Sequence, residues 1–349
     1  MDVQHIKKRT KSENALWRSH FFIPVCLLTA MVCLGALCIG RYGIGLVDAV
    51  RILFSRVLPI EQTWTNTMGN VIFQIRLPRM LVAVLVGGAL SLSGSVYQGI
   101  FKNPLVSPDL LGVSSGACVG AALAILMGIG GTGIQLMALI GGMLAVWMTT
   151  SLPRLLKNRS TMVLVLSGII VSGFMGAAMG VLKFVADPQT QLAEITYWMM
   201  GSIAGATMQD VYSVLPAMTI ATIVLLRMRW RVNLLSLGDG EAKTLGINIR
   251  AVRGVMVLCA TVLTACAVCI SGTIGWVGLV VPHLSRMLCG PNNTQAMPIS
   301  LLMGAAFMVA VDTVARTITP AELPLSIVTG FIGAPLYAWM LTKQRMRIK

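Results

Sequence analysis

The sequence predicts an all-α polytopic membrane protein with about ten transmembrane helices, and three observations predict it. First, the 349 residues are 56% hydrophobic and only 11% charged, with a mean hydropathy of +0.81; a soluble domain carries about 25% charged residues. Second, apolar runs recur along nearly the whole chain. Most approach the ~20 residues that a helix rising ~1.5 Å per residue needs to cross ~30 Å of hydrocarbon. Third, lysine and arginine gather in alternate connections, as the positive-inside rule requires.

The elements follow in order. Residues 1–19 form a basic tail with Lys7, Lys8, Arg9, Lys11 and Arg18. The run at 20–40 exceeds the ~7–15 apolar residues of a signal-peptide core, so it reads as a retained first span. Further runs lie at 77–100, 110–128, 133–152, 161–185, 209–227, 254–271, 274–290, 296–315 and 324–342. Together they make one membrane domain over 20–345, with 346–349 as a short tail. An even number of spans puts both termini on one side. The segments on that side hold the basic tail, Lys102, Arg154, Lys157, Arg159, Arg227, Arg229, Arg231, Lys243, Arg250, Arg253, Arg286 and the basic carboxyl terminus. The opposite segments hold Arg41, Arg51, Arg56, Arg76, Arg79, Lys183 and Arg316. The termini are thereby expected in the cytoplasm, and the net charge of +15 reports orientation rather than a nucleic acid.

Small residues recur at every fourth position in three stripes: Gly87, Ser91, Ser95 and Gly99; Gly112, Gly116, Gly120, Ala124 and Gly128; Gly168, Ser172, Gly176 and Gly180. In lipid, helices associate by close backbone approach, which such spacing permits. Each stripe packs helices or lines a path. The long connection at 41–75 is expected to hold a short surface helix, and Ala193 to Ala204 a short helix that dips back without crossing. The loop 232–250 is polar, with a glycine-bounded break at Gly238-Asp239-Gly240, a helical piece from Glu241 to Leu245 and a glycine stop at Gly246. Two short helices at an angle there would offer a cytoplasmic partner a grip.

Several chemistries are excluded. Gly238 to Thr244 superficially suggests a phosphate loop, but Ala242 stands where glycine must precede the lysine and no strand comes before it. The lone pair Cys266 and Cys269 lies mid-helix without a second pair or a nearby histidine, so it reads as two small hydrophobes. No nucleophile and base stand at helical spacing. A secondary transporter usually needs an intramembrane carboxylate, and every acid here falls near a loop, Asp312 and Glu322 included. His283 and Arg286 follow Pro282 inside the eighth span. They are functional candidates, or lie near the inner end where Arg286 snorkels.

Arg76-Leu77-Pro78-Arg79, Gly87 to Ser91, Gly94, Gln98, Asn103-Pro104-Leu105, Pro108, Leu111 to Gly116, Tyr197 to Ser202, Leu245 to Asn248, Gly278 to His283, Arg286, Asp312 to Arg316, Glu322 to Pro324 and Gly333 to Pro335 together resemble the FecCD-type permeases of binding-protein-dependent ABC importers. The resemblance runs from Arg76 to Leu341 and implies the type II ABC importer permease fold. It implies a second permease chain, identical or closely homologous, two ATP-binding cassette subunits that hold ATP and Mg, and an extracytoplasmic substrate-binding protein. The setting is a bacterial or archaeal cytoplasmic (inner) membrane. The implied cargo is an iron–siderophore, with haem, corrinoid or oxyanion as alternatives, and the chain itself carries no cofactor and no ATPase site. It further implies docking of the binding protein by Arg76, Arg79 and Arg316, a cytoplasmic gate at Asn103, Leu105, Ser160 and Thr161, and ATPase coupling through Leu237, Gly238, Glu241, Ala242, Leu245 and Gly246. A capping role for Ser160 and a turn at Asn103-Pro104 fit the same residues.

Overall fold

The computed structural model describes residues 21–158, 160–237 and 248–345. Its helices are α1 (Ile23–Cys38), α2 (Leu46–Phe54), α3 (Asn66–Asn70), α4 (Leu77–Phe101), α5 (Val113–Leu126), α6 (Thr132–Leu155), α7 (Thr161–Val185), α8 (Gln191–Met200), α9 (Met208–Leu237), α10 (Ile249–Ser271), α11 (Val277–Cys289), α12 (Asn293–Ile318) and α13 (Leu325–Arg345). A π-helical stretch, Val71–Arg76, joins α3 to α4 without a break. Among the described residues six helices are long and apolar enough to cross a membrane, and α1, α5, α11 and the apolar part of α13 are shorter. These are the ten runs read from the sequence. The remaining helices are the surface helix expected within 41–75, now α2 with the short α3, and the non-crossing helix expected near 193–204, now α8.

Glycine and local geometry explain where the spans depart from the apolar runs. A 3-10 turn at Pro108–Leu111 precedes α5, and Gly112 at φ +78° reverses the chain between them. The span is therefore mostly helix with a short irregular entry, tolerated where protein encloses it. Gly272 at φ +67° and Trp276 at φ +70° delay α11 in the same way. Helix α9 runs beyond its predicted end and carries Arg227, Arg229 and Arg231 on helical backbone. Ser160, Asn248 and Asn292 cap α7, α10 and α12, each accepting from a backbone N–H of the first turn.

Helix α4 is the centre of the bundle. In its most apolar window 78% of residues are buried, against 28% for α7 and for α9. Burial of apolar area gains little between helices that would otherwise touch lipid, so contact distance decides. A Cβ built on Gly87 would fall well inside 3.0 Å of the Gly304 carbonyl on α12, and one on Gly304 would strike the Gly87 carbonyl. Between these turns Ser91 Oγ donates to the Ser300 carbonyl at 2.7 Å, and Ser300 Oγ donates back to the Ser91 carbonyl at 3.1 Å. Gly94 meets the Gly278 backbone of α11, and Gly99 meets Val232 of α9. Ser95 is buried within α4. Helices α5 and α6 form a second close pair, in which Gly116 faces the Gly141 carbonyl, and Gly120 the Met137 carbonyl.

Candidate translocation pathway and partner surfaces

The third stripe divides. Gly168 approaches the Leu110 carbonyl, and Ser172 Oγ lies 3.2 Å from where a Cβ on Gly112 would sit. Gly173, Gly176 and Gly180 have nothing within 4 Å of such an atom and are exposed, as are Phe174, Val181 and Phe184. One end of the α7 stripe packs, and the rest presents a smooth, unfilled face. Next to it in sequence, α8 folds against the far end of the bundle. Ser202 N–H donates to the Ser271 carbonyl at 2.8 Å, Leu325 N–H to the Gly201 carbonyl at 3.0 Å, and Thr273 Oγ1 to the Met199 carbonyl. A cavity of about 260 Å³ remains there, lined by Trp198, Ser202, Asp210 and Ser271 among others. Gln135 Nε2 donates to Asp210 Oδ1 at 2.7 Å across it.

The three arginines expected to face a docking partner are turned inward. Arg76, Arg79 and Arg316 are only 4%, 5% and 9% exposed. Arg76 donates to the carbonyls of Leu37 (2.6 Å), Cys38 (3.0 Å) and Tyr42. Arg79 donates from Nε to Asp312 at 2.8 Å and from Nη1 to Glu322 at 3.0 Å. Arg316 donates to the Ala36 carbonyl and stands 4.0 Å from Asp312. Near the edge of hydrocarbon a guanidinium is stable only when its donors are filled. Here α1, α12 and the turn after α12 supply the partners, and Arg316 Nε makes no hydrogen bond among the described residues, only the 4.0 Å ion contact with Asp312. Among the described residues the exposed cations at this end are Arg41, Arg51 and Arg56. Asp312 also corrects the reading of the acids, since it is buried inside α12 and held by Arg79.

At the opposite, basic end Gln98 is a hub that the motif contained without disclosing its role. Its Nε2 donates to the carbonyls of Val106 and Leu279, each at 3.2 Å, and its Oε1 accepts from Arg286 Nη1 and Nη2 at 2.7 and 2.9 Å. Arg286 is therefore drawn into the protein rather than snorkelling. His283 is buried beside it, its ring edge-on to Tyr337. One side chain thus ties α4 to the loop of Asn103 and Leu105 and to α11. Replacing Gln98 by leucine, of similar volume, is expected to strand two carbonyls and Arg286 and to cost about 2–4 kcal/mol. Thermal unfolding in detergent, with protease cleavage of the 102–108 loop as a second readout, checks it; an unmoved midpoint would remove the hub.

Asn103 Oδ1 accepts from Leu105 N–H at 2.9 Å, and Leu105 is 58% exposed. Ser160 Oγ accepts from Val163 N–H at 3.3 Å. The turn and the cap are thus both present. Within one chain the two gate segments do not converge. Pro104 lines a cavity of about 490 Å³ with His283, Arg286 and Lys343, whereas Ser160 lines another of about 550 Å³ between α6, α7 and α10. Thr161 opens α7, its side chain outside what is described. Leu237 ends α9, and the other coupling positions, Gly238, Glu241, Ala242, Leu245 and Gly246, lie outside the described residues.

A bundle with six helices long and apolar enough to cross a membrane among the described residues has the architecture of a multi-pass membrane protein. Residues 27–343 match the FecCD transport family, and the chain belongs to that family. It is 39% identical over 317 residues to the molybdate import system permease protein MolB of Haemophilus influenzae, covering 91% of this chain and 93% of that one. Against the hemin transport system permease protein HmuU of Yersinia pestis it is 38% identical over 300 residues, covering 81% and 86%. A solved inward-facing structure of a metal-chelate type ABC transporter superposes with a TM-score of 0.82 at 38% identity, covering 92% of this chain and 98% of that one. The chain is accordingly an ABC importer permease, and the match spans almost its full length.

Proposed function

We propose that this permease moves an iron–siderophore or similar metal chelate into the cytoplasm, as one of two permease chains driven by two ATP-binding cassette subunits and fed by an extracytoplasmic binding protein. The observation that carries the reading is the open face of α7 at Gly173, Gly176 and Gly180. It gives a bulky cargo little to grip, so the two arrangements of the pathway are biased by partners on either side rather than by tight cargo binding. The metal-chelate neighbour supports the cargo class. The molybdate relative favours a second reading, an oxyanion. Both termini then lie in the cytoplasm, on the same side as the ends of α9 and α10 that flank the connection to the ATPase. Docking falls at the other end, where Arg76, Arg79 and Arg316 act from beneath as positioning charges. Asn103, Leu105, Ser160 and Thr161 close the inner mouth once two chains bring their loops together.

Proteoliposomes holding the permease, its ATPase and its binding protein test this with ferric siderophore, hemin, corrinoid and molybdate. Nucleotide-dependent uptake of the ferric siderophore is expected. Uptake of molybdate alone would move the reading to the oxyanion, and uptake driven by an ion gradient without nucleotide would overturn both.

A further inference from the structure

We infer that the cavity between α6, α7 and α10 at the basic end is a binding site for the headgroup of an acidic phospholipid. The cavity holds about 550 Å³, and among the described residues every charged one lining it is an arginine: Arg154 at the end of α6, and Arg250 and Arg253 in the first turns of α10. The rest of its lining includes the apolar Val146, Leu164, Val257 and Leu258. A lipid offers the matching pair, an anionic phosphate followed by glycerol and hydrocarbon. Leu155, Leu156 and Met162, close in sequence to the lining residues Arg154 and Ser160, are apolar and 78%, 62% and 71% exposed, as suits contact with acyl chains. Leu258, in the lining itself, is 55% exposed. A free phosphate would gain nothing from these apolar side chains, and a soluble acidic surface would leave them in water. Guanidinium forks suit phosphate oxygens, and basic pockets between helices on the cytoplasmic side hold lipid headgroups by these forces.

Two of its arginines, Arg250 and Arg253, stand in the first turns of α10, shortly after residues 238–247 in sequence. A lipid seated there would brace the first turns of α10 against the end of α6. This role rests on the proposed orientation, but the binding itself does not.

Native mass spectrometry of the full chain, delipidated and then titrated with phosphatidylglycerol or phosphatidylcholine, tests the binding. One phosphatidylglycerol per chain is expected to survive activation that strips phosphatidylcholine. Each Arg→Gln change at Arg154, Arg250 or Arg253 should weaken its retention about fivefold, at ~1 kcal/mol per arginine. Arg→Lys changes should keep most of it. Arg154→Gln, at an exposed helix end, carries the test if the triple variant fails to fold. Equal retention by the wild type and Arg154→Gln would overturn the site. So would displacement of the lipid by inorganic phosphate at matching concentration, which would make it a free-anion site. Loss of ATPase binding with lipid retention unchanged would give the arginines to the ATPase instead.

Discussion

Replacing Asp312 by asparagine is expected to lower the unfolding free energy by about 3–5 kcal/mol, the cost of leaving a buried partner charge uncompensated. Asp312 is 3% exposed and meets Arg79, itself 5% exposed, through two oxygens at 2.8 and 3.0 Å. Arg316 stands on its other side at 4.0 Å. Without the carboxylate, Glu322 alone would face both guanidiniums, and its side chain is 31% exposed and so partly screened by water. The charge cluster also joins parts of the chain 233 and 243 residues apart, so its loss loosens the packing of α4, α12 and the following turn together. Thermal unfolding in detergent measures the drop. The companion test pairs Arg79→Met with Asp312→Leu, which removes one charge of each sign and leaves Arg316 balanced by Glu322 rather than two guanidiniums facing one carboxylate. The double variant should be more stable than Asp312→Asn. If it is worse, the cost lies in side-chain shape and the electrostatic account fails.

A single methyl group at Gly94 is expected to be as damaging. The Cβ of alanine would overlap the Gly278 carbonyl, with the carbonyl carbon and the Cα also within 3.0 Å. These are backbone atoms, so nothing can rotate away, and α4 and α11 must separate. Overpacking costs about 1–3 kcal/mol in ordinary cores, and a backbone clash belongs at the upper end of that range or beyond it. Gly176→Ala is the matched control, since nothing lies within 4 Å of its added atom. It should leave stability unchanged or raise it by up to about 1 kcal/mol, the helix-propensity gain of alanine over glycine. Yield of monodisperse protein and the unfolding midpoint report both. A Gly94→Ala variant that behaves like Gly176→Ala would show that α4 does not sit against α11 as described.

The spans were legible because hydropathy is a sum over twenty residues and tolerates local irregularity. Their ends were less so. Gly112 and Trp276 take left-handed backbone, which shortens α5 and α11 within apolar runs that look continuous. The first two small-residue stripes marked contacts, since Gly87 and Gly116 meet carbonyls of α12 and α6. The third did so only in part, because spacing cannot tell a packed glycine from an open one, and Gly168 and Gly176 look alike in sequence. The arginines show the limit most clearly. Arg76 and Arg79 lie beside a loop in sequence, and only the fold brings Leu37, Asp312 and Glu322 to them. Gln98 was visible as a motif member, but its partners Val106, Leu279 and Arg286 are set by three separate elements.

The glycine–carbonyl contacts divide the protein mechanically. Helices α4, α11 and α12 interlock at Gly87, Gly94, Gly278 and Gly304, and α5 and α6 interlock at Gly116 and Gly141. Neither group can shear internally without driving a carbonyl into a backbone atom. Relative movement is therefore expected to fall on the seam between the groups, where α10 touches both, with the two clamped groups rocking past each other like the halves of a nutcracker whose pin is α10.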